Sequence, residues 1–174
     1  MRVPLSSHPP FSREFMSSGA RAYGFDLSSA TLDRFESYYS LLSDWNSRMN
    51  LVSSGELSRF VEYHLLDSLK INSCFPLPST GTFMDFGSGA GIPGIPLSLV
   101  CPDLGCVLVE SIAKKCRFLS SIIESLGLSR ATVLNTRMED IAPSHDGGYD
   151  FVVTRATVTL SRFIILASRF LRSG

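Results

Sequence analysis

The segment Phe83-Met84-Asp85-Phe86-Gly87-Ser88-Gly89-Ala90-Gly91-Ile92-Pro93-Gly94 combines residue types that can hold a ligand. A short apolar run ends in an acid, and three glycines then alternate. Glycine tolerates positive φ and lets the backbone approach a ligand with no Cβ in the way. In a doubly wound sheet such a loop stands at the carboxyl end of the first strand, where ligands bind. The next apolar run, Cys106-Val107-Leu108-Val109, ends in Glu110. An acid at the tip of a second strand can accept hydrogen bonds from both hydroxyls of a ribose. A third candidate is Asn135-Thr136-Arg137-Met138-Glu139-Asp140, where Met138 can pack on a nucleoside base and an acid can address its polar edge. Taken singly, each has a plainer reading: a structural turn for the glycines, a surface carboxylate for Glu110, solvated charges for Glu139 and Asp140.

The glycine spacing narrows the ligand. A dinucleotide site wants G-x-G-x-x-G, with the helix N-terminus facing a pyrophosphate. Gly87, Gly89 and Gly91 follow G-x-G-x-G behind Asp85, a form that resembles the first motif of S-adenosylmethionine methyltransferases. The run Asp150-Phe151-Val152-Val153-Thr154-Arg155-Ala156 then limits the chemistry. It lacks the Asn/Asp-Pro-Pro-aromatic motif usual in methylases of exocyclic base amines. No cysteine lies near it in sequence to attack a cytosine ring, and no cluster of acids provides ligands for a metal-dependent O-methylase. Guanine N7 bears an in-plane lone pair and no proton, so its methylation needs in-line positioning and no general base. The residues permit that substrate without selecting it.

The elements that must position these residues alternate from residue 82 onward. Strands are expected at Thr82–Phe86, Cys106–Glu110, Ala131–Asn135 and Asp150–Thr154, as continuous apolar runs buried on both faces of a parallel sheet. Helices are expected between them, the clearest over Lys114–Leu126 with Gly127 as its stop signal. Residues 26–72 read as helices: Leu32, Phe35, Tyr38, Tyr39, Leu42 and Trp45 recur at helical spacing, as do Leu57, Phe60, Val61, His64, Leu65 and Leu69. Pro76, Pro78 and Gly81 mark a loop before the first strand. His64 on an apolar face reads as a core histidine, with Asp67 placed to hold its ring or cap a neighbour.

At 174 residues, 44% of them hydrophobic, the chain suits one compact domain with a substantial core. Equal numbers of basic and acidic residues, 16 each, argue against non-specific coating of nucleic acid. Local basic patches still suffice to meet RNA phosphates. Lys114, Lys115 and Arg117 crowd one helix start, where cations oppose the dipole, so an RNA contact explains them better than a solvated face. Cys74, Cys101, Cys106 and Cys116 form no metal spacing and read as free buried thiols of a reducing cytosol. No metal site is expected, no apolar run is long enough to span a bilayer, and the location expected is cytoplasmic. Residues 1–21 resemble an organellar transit peptide in composition, but Pro4, Pro9 and Pro10 spoil an amphipathic helix, so residues 1–25 are expected to form a flexible tail.

In combination the motifs are specific. Trp45-Asn46 with Asn50-Leu51, His64-Leu65-Leu66-Asp67-Ser68-Leu69, the run Asp85–Leu97, Glu110-Ser111, Lys114–Leu119 and Thr154-Arg155-Ala156 together resemble the bacterial glucose-inhibited division protein B family, the 16S ribosomal RNA guanine-N7 methyltransferases. The resemblance covers roughly residues 32–174. It implies an α/β, Rossmann-like S-adenosylmethionine methyltransferase fold, one domain over 26–174 with a helical part at 26–72 and a cofactor-binding part at 82–174. It implies S-adenosyl-L-methionine as cofactor and 16S rRNA of the small ribosomal subunit as partner. Gly87, Gly89, Gly91, Ile92 and Glu110 would bind the cofactor, Met138 and Glu139 would border its adenine, and Arg155 would sit beside cofactor and target base as the catalytic residue. Lys114, Lys115 and Arg117 would meet RNA. Two departures are mild: Glu110 stands where Asp is common, and Thr154 where Ser is common. The residues alone leave open a NAD-dependent oxidoreductase and a non-catalytic cofactor- or RNA-binding module.

Beyond strand four a helix is expected with Leu160, Phe163, Ile164, Ala167 and Leu171 on its apolar face. Arg162, Arg169 and Arg172 are expected on another face, solvated or near RNA. Since such a fold continues with about three further strands, the chain is expected to be truncated at its C-terminus, leaving the fourth strand as an unpaired edge.

Overall fold

The computed structural model describes residues 11–155 and 159–173, apart from the side chain of Ser54. Ala156 of the Thr-Arg-Ala motif lies outside the described residues. Helix α1 (Arg13–Ala22) starts where the Ser12 hydroxyl accepts the Phe15 N–H, and it buries Met16 and Ala20, one turn apart. A flexible tail over 1–25 is therefore corrected for residues 13–22. The prolines that argued against a helix precede it, and its apolar stripe packs on the rest of the core.

Helix α2 (Ser29–Asn46), capped by Ser28, buries Phe35, Tyr38, Tyr39 and Leu42 on one face. Asn46 closes the turn after it: its Oδ1 accepts from Leu51 N and Val52 N at 2.8 and 3.0 Å, and its Nδ2 donates to Val52 O at 3.0 Å. This explains the Trp45-Asn46 pair structurally, while the Trp45 ring meets Phe118 edge-on at 5.8 Å. The next helical stretch is broken into α3 (Ser54–Leu57), a π-helical turn (Val61–Leu66), α4 (Asp67–Leu69) and α5 (Ile71–Cys74). Ser53 and Glu56 form a reciprocal capping box at the start of α3.

Strands β1 (Gly81–Phe86), β2 (Leu104–Glu110), β3 (Ala131–Asn135) and β4 (Phe151–Thr154) form one parallel sheet in the order β3-β2-β1-β4. Helix α6 (Gly94–Val100) connects β1 to β2, and α7 (Ala113–Ser125) connects β2 to β3. The β3–β4 connection differs from the expected strand–helix alternation. It holds only two 3-10 turns, at Met138–Asp140 and Pro143–His145. Alternation along β1 divides the core. Phe83 faces the N-terminal helices and α7, whereas Met84 and Phe86 pack with Val109, Ile141 and Phe170 on the opposite side.

Helix α8 (Leu160–Ser168) is rotated relative to the expected face. Ala167 and Phe170 are buried and Phe163 and Leu166 half-buried, whereas Leu160, Ile164 and Leu171 are exposed. The helix is apolar around most of its circumference, so periodicity did not single out the buried stripe. Its arginines are latches, not free cations. Arg162 pairs with Glu139, Arg169 with Asp146 at 2.8 Å, and Arg172 with Asp150. Beyond α8 the backbone returns to the sheet: Leu171 bridges Tyr149 in parallel, so the approach to β4 is covered on its outer side. Of the cysteines, Cys106 and Cys116 are buried as expected, Cys101 is half-buried and Cys74 is exposed. Cys74 ends a short helix at the surface, which its apolar sequence neighbours did not reveal.

Candidate functional site

The loop after β1 is held by its own backbone. Gly87 N and Ser88 N both donate to Val109 O at 2.8 and 3.0 Å, and Gly91 N donates to Ser88 O at 2.6 Å. The three alternating glycines have φ of 67°, 55° and 89°, but they do different work. A Cβ on Gly91 would stand 2.5 Å from Ile95 Cγ1 and 3.2 Å from Leu119 Cδ2, so this glycine lets α6 and α7 pack on the loop. A Cβ on Gly89 would meet only Gly87 O, at 3.7 Å, so Gly89 leaves open ground on the ligand side. Ile92 is 6% exposed and belongs to the core. Its side chain packs in that core, so a cofactor contact at this position would fall to the loop backbone.

Glu110 is buried at the tip of β2 and is tied to that loop. Its Oε2 accepts from Gly89 N at 3.1 Å and its Oε1 from Ile112 N at 2.8 Å. A carboxylate has about four acceptor positions, so two bonds leave capacity for donors from a ligand. Asn135 Nδ2 donates to Glu110 O at 2.9 Å and fixes the tips of β2 and β3 together. Gly87, Glu110, Met138 and Glu139 line one cleft of about 200 Å³. Met138 is half-buried in it, and Glu139 is exposed and held by Arg162 from α8. A nucleoside cofactor fits this set: an acceptor for ribose hydroxyls, a thioether for the face of a base, and a glycine surface without side chains between them.

Asp85 sits behind the loop, fully buried. Its Oδ2 accepts from Gly94 N at 3.0 Å, while its Oδ1 has no hydrogen-bond partner. Burial pushes its carboxyl up to about 7 against the help of the Gly94 bond. Tyr38 donates to Ala90 O at 2.5 Å from α2, a strut under the loop that helical periodicity alone did not reveal.

Arg155 follows β4 and faces a different cleft, of about 370 Å³, with Asp67, Phe75 and Pro93. The two clefts flank the glycine loop: Gly87 lines one and Pro93 the other. Arg155 Nη1 lies 2.8 Å from His64 Nδ1, and Asp67 Oδ2 lies 4.0 Å from the same guanidinium nitrogen. The expected Asp67–His64 contact is thus replaced: Arg155 takes the ring, and Asp67 faces Arg155. A guanidinium only donates, so Nδ1 accepts and the imidazole is neutral with its proton on Nε2. That atom is buried without a hydrogen bond, 3.9 Å from Glu56 Oε1. Burial, then the neighbouring Arg155, lowers the His64 pKa. His64 also stacks on Phe60 at 4.9 Å. Its place in a π-helical turn accords with the frequent use of such turns at functional sites.

Lys114 and Arg117 are exposed on α7 and Lys115 is half-buried. No side chain caps the start of α7, and Lys114 Nζ reaches back to Arg48 O at 3.4 Å.

The family described as rRNA small subunit methyltransferase G matches residues 31–174. The ribosomal RNA small subunit methyltransferase G of Lachnoclostridium phytofermentans is 36% identical over 158 residues, covering 90% of this chain and 65% of the relative. The protein of the same name from Syntrophus aciditrophicus is 42% identical over 142 residues, covering 79% of this chain and 58% of the relative. The chain thus spans less than two thirds of the length of either relative. A solved SAM-dependent methyltransferase from Aquifex aeolicus shares the fold, with a TM-score of 0.54 at 19% identity over 77% of this chain and 67% of that one.

Proposed function

Because the chain belongs to the rRNA small subunit methyltransferase G family, we propose that it is an S-adenosylmethionine-dependent enzyme that methylates N7 of a guanine in 16S ribosomal RNA. The observation that carries this reading is the joint placement of Gly87, Glu110 and Met138 around one cleft, with Gly89 bonded to Glu110 and Arg155 beyond the same loop. S-adenosylmethionine, when bound, supplies an electrophilic methyl group. Glu110 accepts from its ribose hydroxyls, and Met138 packs on its adenine. The Glu139–Arg162 pair anchors the adenine side of the cleft to α8. Arg155, held by His64, orients the target base, which gives up no proton and so needs no general base. Lys114, Lys115 and Arg117 meet RNA phosphates.

No helix among the described residues is long and apolar enough to cross a membrane, and a cytoplasmic place beside the ribosome is part of the proposal. The experiment is methyl uptake from labelled S-adenosylmethionine by purified 30S particles lacking the modification. The expected product is N7-methylguanosine in 16S RNA. Methylated adenine or cytosine, or no uptake, would overturn the reading.

A further inference from the structure

The cleft beside Arg155 is the larger of the two described, about 370 Å³, within the range of roughly 300–1,000 Å³ of small-molecule sites. One wall is Phe75, an aromatic ring 47% exposed at its mouth. The ring is braced from behind: it packs on Phe151 at 5.6 Å, and Phe151 stacks flat on Phe83 at 4.9 Å. A braced, half-exposed ring is what an unstacked base needs to lie on. Asp67 is half in solvent on the same cleft. An ionised carboxylate is an acceptor only. Among the RNA bases, guanine alone presents two adjacent donors, N1–H and the N2 amine, on its Watson–Crick edge. Adenine, cytosine and uracil each set an acceptor beside the donor. Arg155 and Lys70 add cations for O6 and for phosphate.

We infer that this cleft seats the target base: an unstacked guanine lies on Phe75 with its Watson–Crick edge donating to Asp67. The inference rests on the methyl-transfer reading above and names its base-binding site. It is chemically consistent with that reading, because a carboxylate bonded to N1–H and the N2 amine leaves N7, on the Hoogsteen edge, uncovered.

The test uses the chain alone with mononucleotides, and so does not depend on turnover. Saturation-transfer NMR is recorded with GMP, IMP and AMP, and alkylation of Cys74 is followed by mass spectrometry. Cys74 is an exposed thiol on the wall of this cleft. GMP is expected to bind and to slow alkylation of Cys74. IMP, lacking the N2 amine, and AMP should bind about tenfold more weakly, in line with a bidentate base contact. Asp67→Asn should erase the preference for GMP, and Phe75→Ala should weaken all three nucleotides. Both positions are surface-exposed, and thermal melts check that the variants fold.

Equal binding of GMP and AMP, no protection of Cys74, or an unchanged preference in Asp67→Asn would overturn the site. Methyl uptake by 30S particles is measured in parallel. Uptake without guanine preference in the cleft overturns the site and leaves the methyl-transfer reading standing. Asp67-dependent guanine binding without uptake supports the site and contradicts that reading.

Discussion

Arg155 and His64, 91 residues apart, meet at 2.8 Å between Nη1 and Nδ1. The contact ties the end of β4 to the π-helical turn of the N-terminal helices, and it fixes the charge state of the histidine. Arg155 cannot accept, so His64 must be neutral.

This contact makes activity and stability sensitive to acid. The folded His64 pKa is lowered by burial and by Arg155, with Glu56 and Asp67 opposing. Its contribution to stability is therefore full above the unfolded value of about 6.5 and is lost as pH falls through the lower folded value. His64→Asn keeps an acceptor near Nδ1, whereas His64→Phe removes it. The Phe variant is expected to raise KM for 30S particles and to lose the acid limb of the melting temperature against pH. The Asn variant should restore KM. Equal kinetics in both variants would contradict the role.

Glu110 holds the loop, and under the proposed function it also receives the ligand. Glu110→Ala should weaken S-adenosylmethionine binding by about 1.5–3 kcal/mol for each charged bond lost. It should also speed exchange of the Gly89 and Ile112 amides, which lose their acceptors. Gly89→Val places a branched side chain on the open ground of the loop at a φ of 55°, and should abolish binding. Calorimetry that finds unchanged affinity in both variants would remove the cleft assignment.

Asp85 should make stability fall with rising pH. Its carboxyl is raised from the unfolded value of 3.8 to about 7. Between those values the folded state holds the extra proton, so stability declines as pH rises from about 4 to 7 and then levels off. Asp85→Asn is neutral throughout and still offers an oxygen to Gly94 N. Relative to wild type it should gain melting temperature between pH 4 and 7 and show no such gain below pH 4. A constant offset across this range would show that burial does not perturb Asp85.

The outer face of α8 should govern self-association, not folding. Leu160, Ile164 and Ile165 are 72%, 57% and 74% exposed, whereas Phe170 is fully buried. Ile165→Glu should lower aggregation seen by light scattering and shift stability by less than about 0.5 kcal/mol. Phe170→Ala should cost about 3–5 kcal/mol. Comparable melting temperatures for the two variants would contradict this division between the outer face of α8 and the buried residue just after it.

The sheet was legible because β1 and β2 are mostly buried apolar runs that end at an acid or a glycine, while the edge strands β3 and β4, only partly buried, still carry short apolar runs. The predicted start of β3 coincides with the observed one, and those of β1, β2 and β4 differ by one or two residues. That Gly87, Glu110 and Met138 line one cleft was legible because their spacing follows strand ends, which a parallel sheet brings to one edge. The Arg155–His64 contact was not, because it joins two segments that no local pattern relates. The burial of the Ile92 side chain and the different surroundings of Gly91 and Gly89 were not legible, because spacing does not say which way a loop residue turns. On α8, an apolar circumference hid the buried stripe, and the acid partners of Arg162, Arg169 and Arg172 lie 22 or 23 residues earlier in the chain.

The most direct measurement of the central claim is nucleoside mass spectrometry of 16S RNA from undermethylated 30S particles incubated with this chain and labelled S-adenosylmethionine. The account predicts label in N7-methylguanosine, abolished by Gly89→Val. Label in any other nucleoside, or label that persists in Gly89→Val, would contradict it.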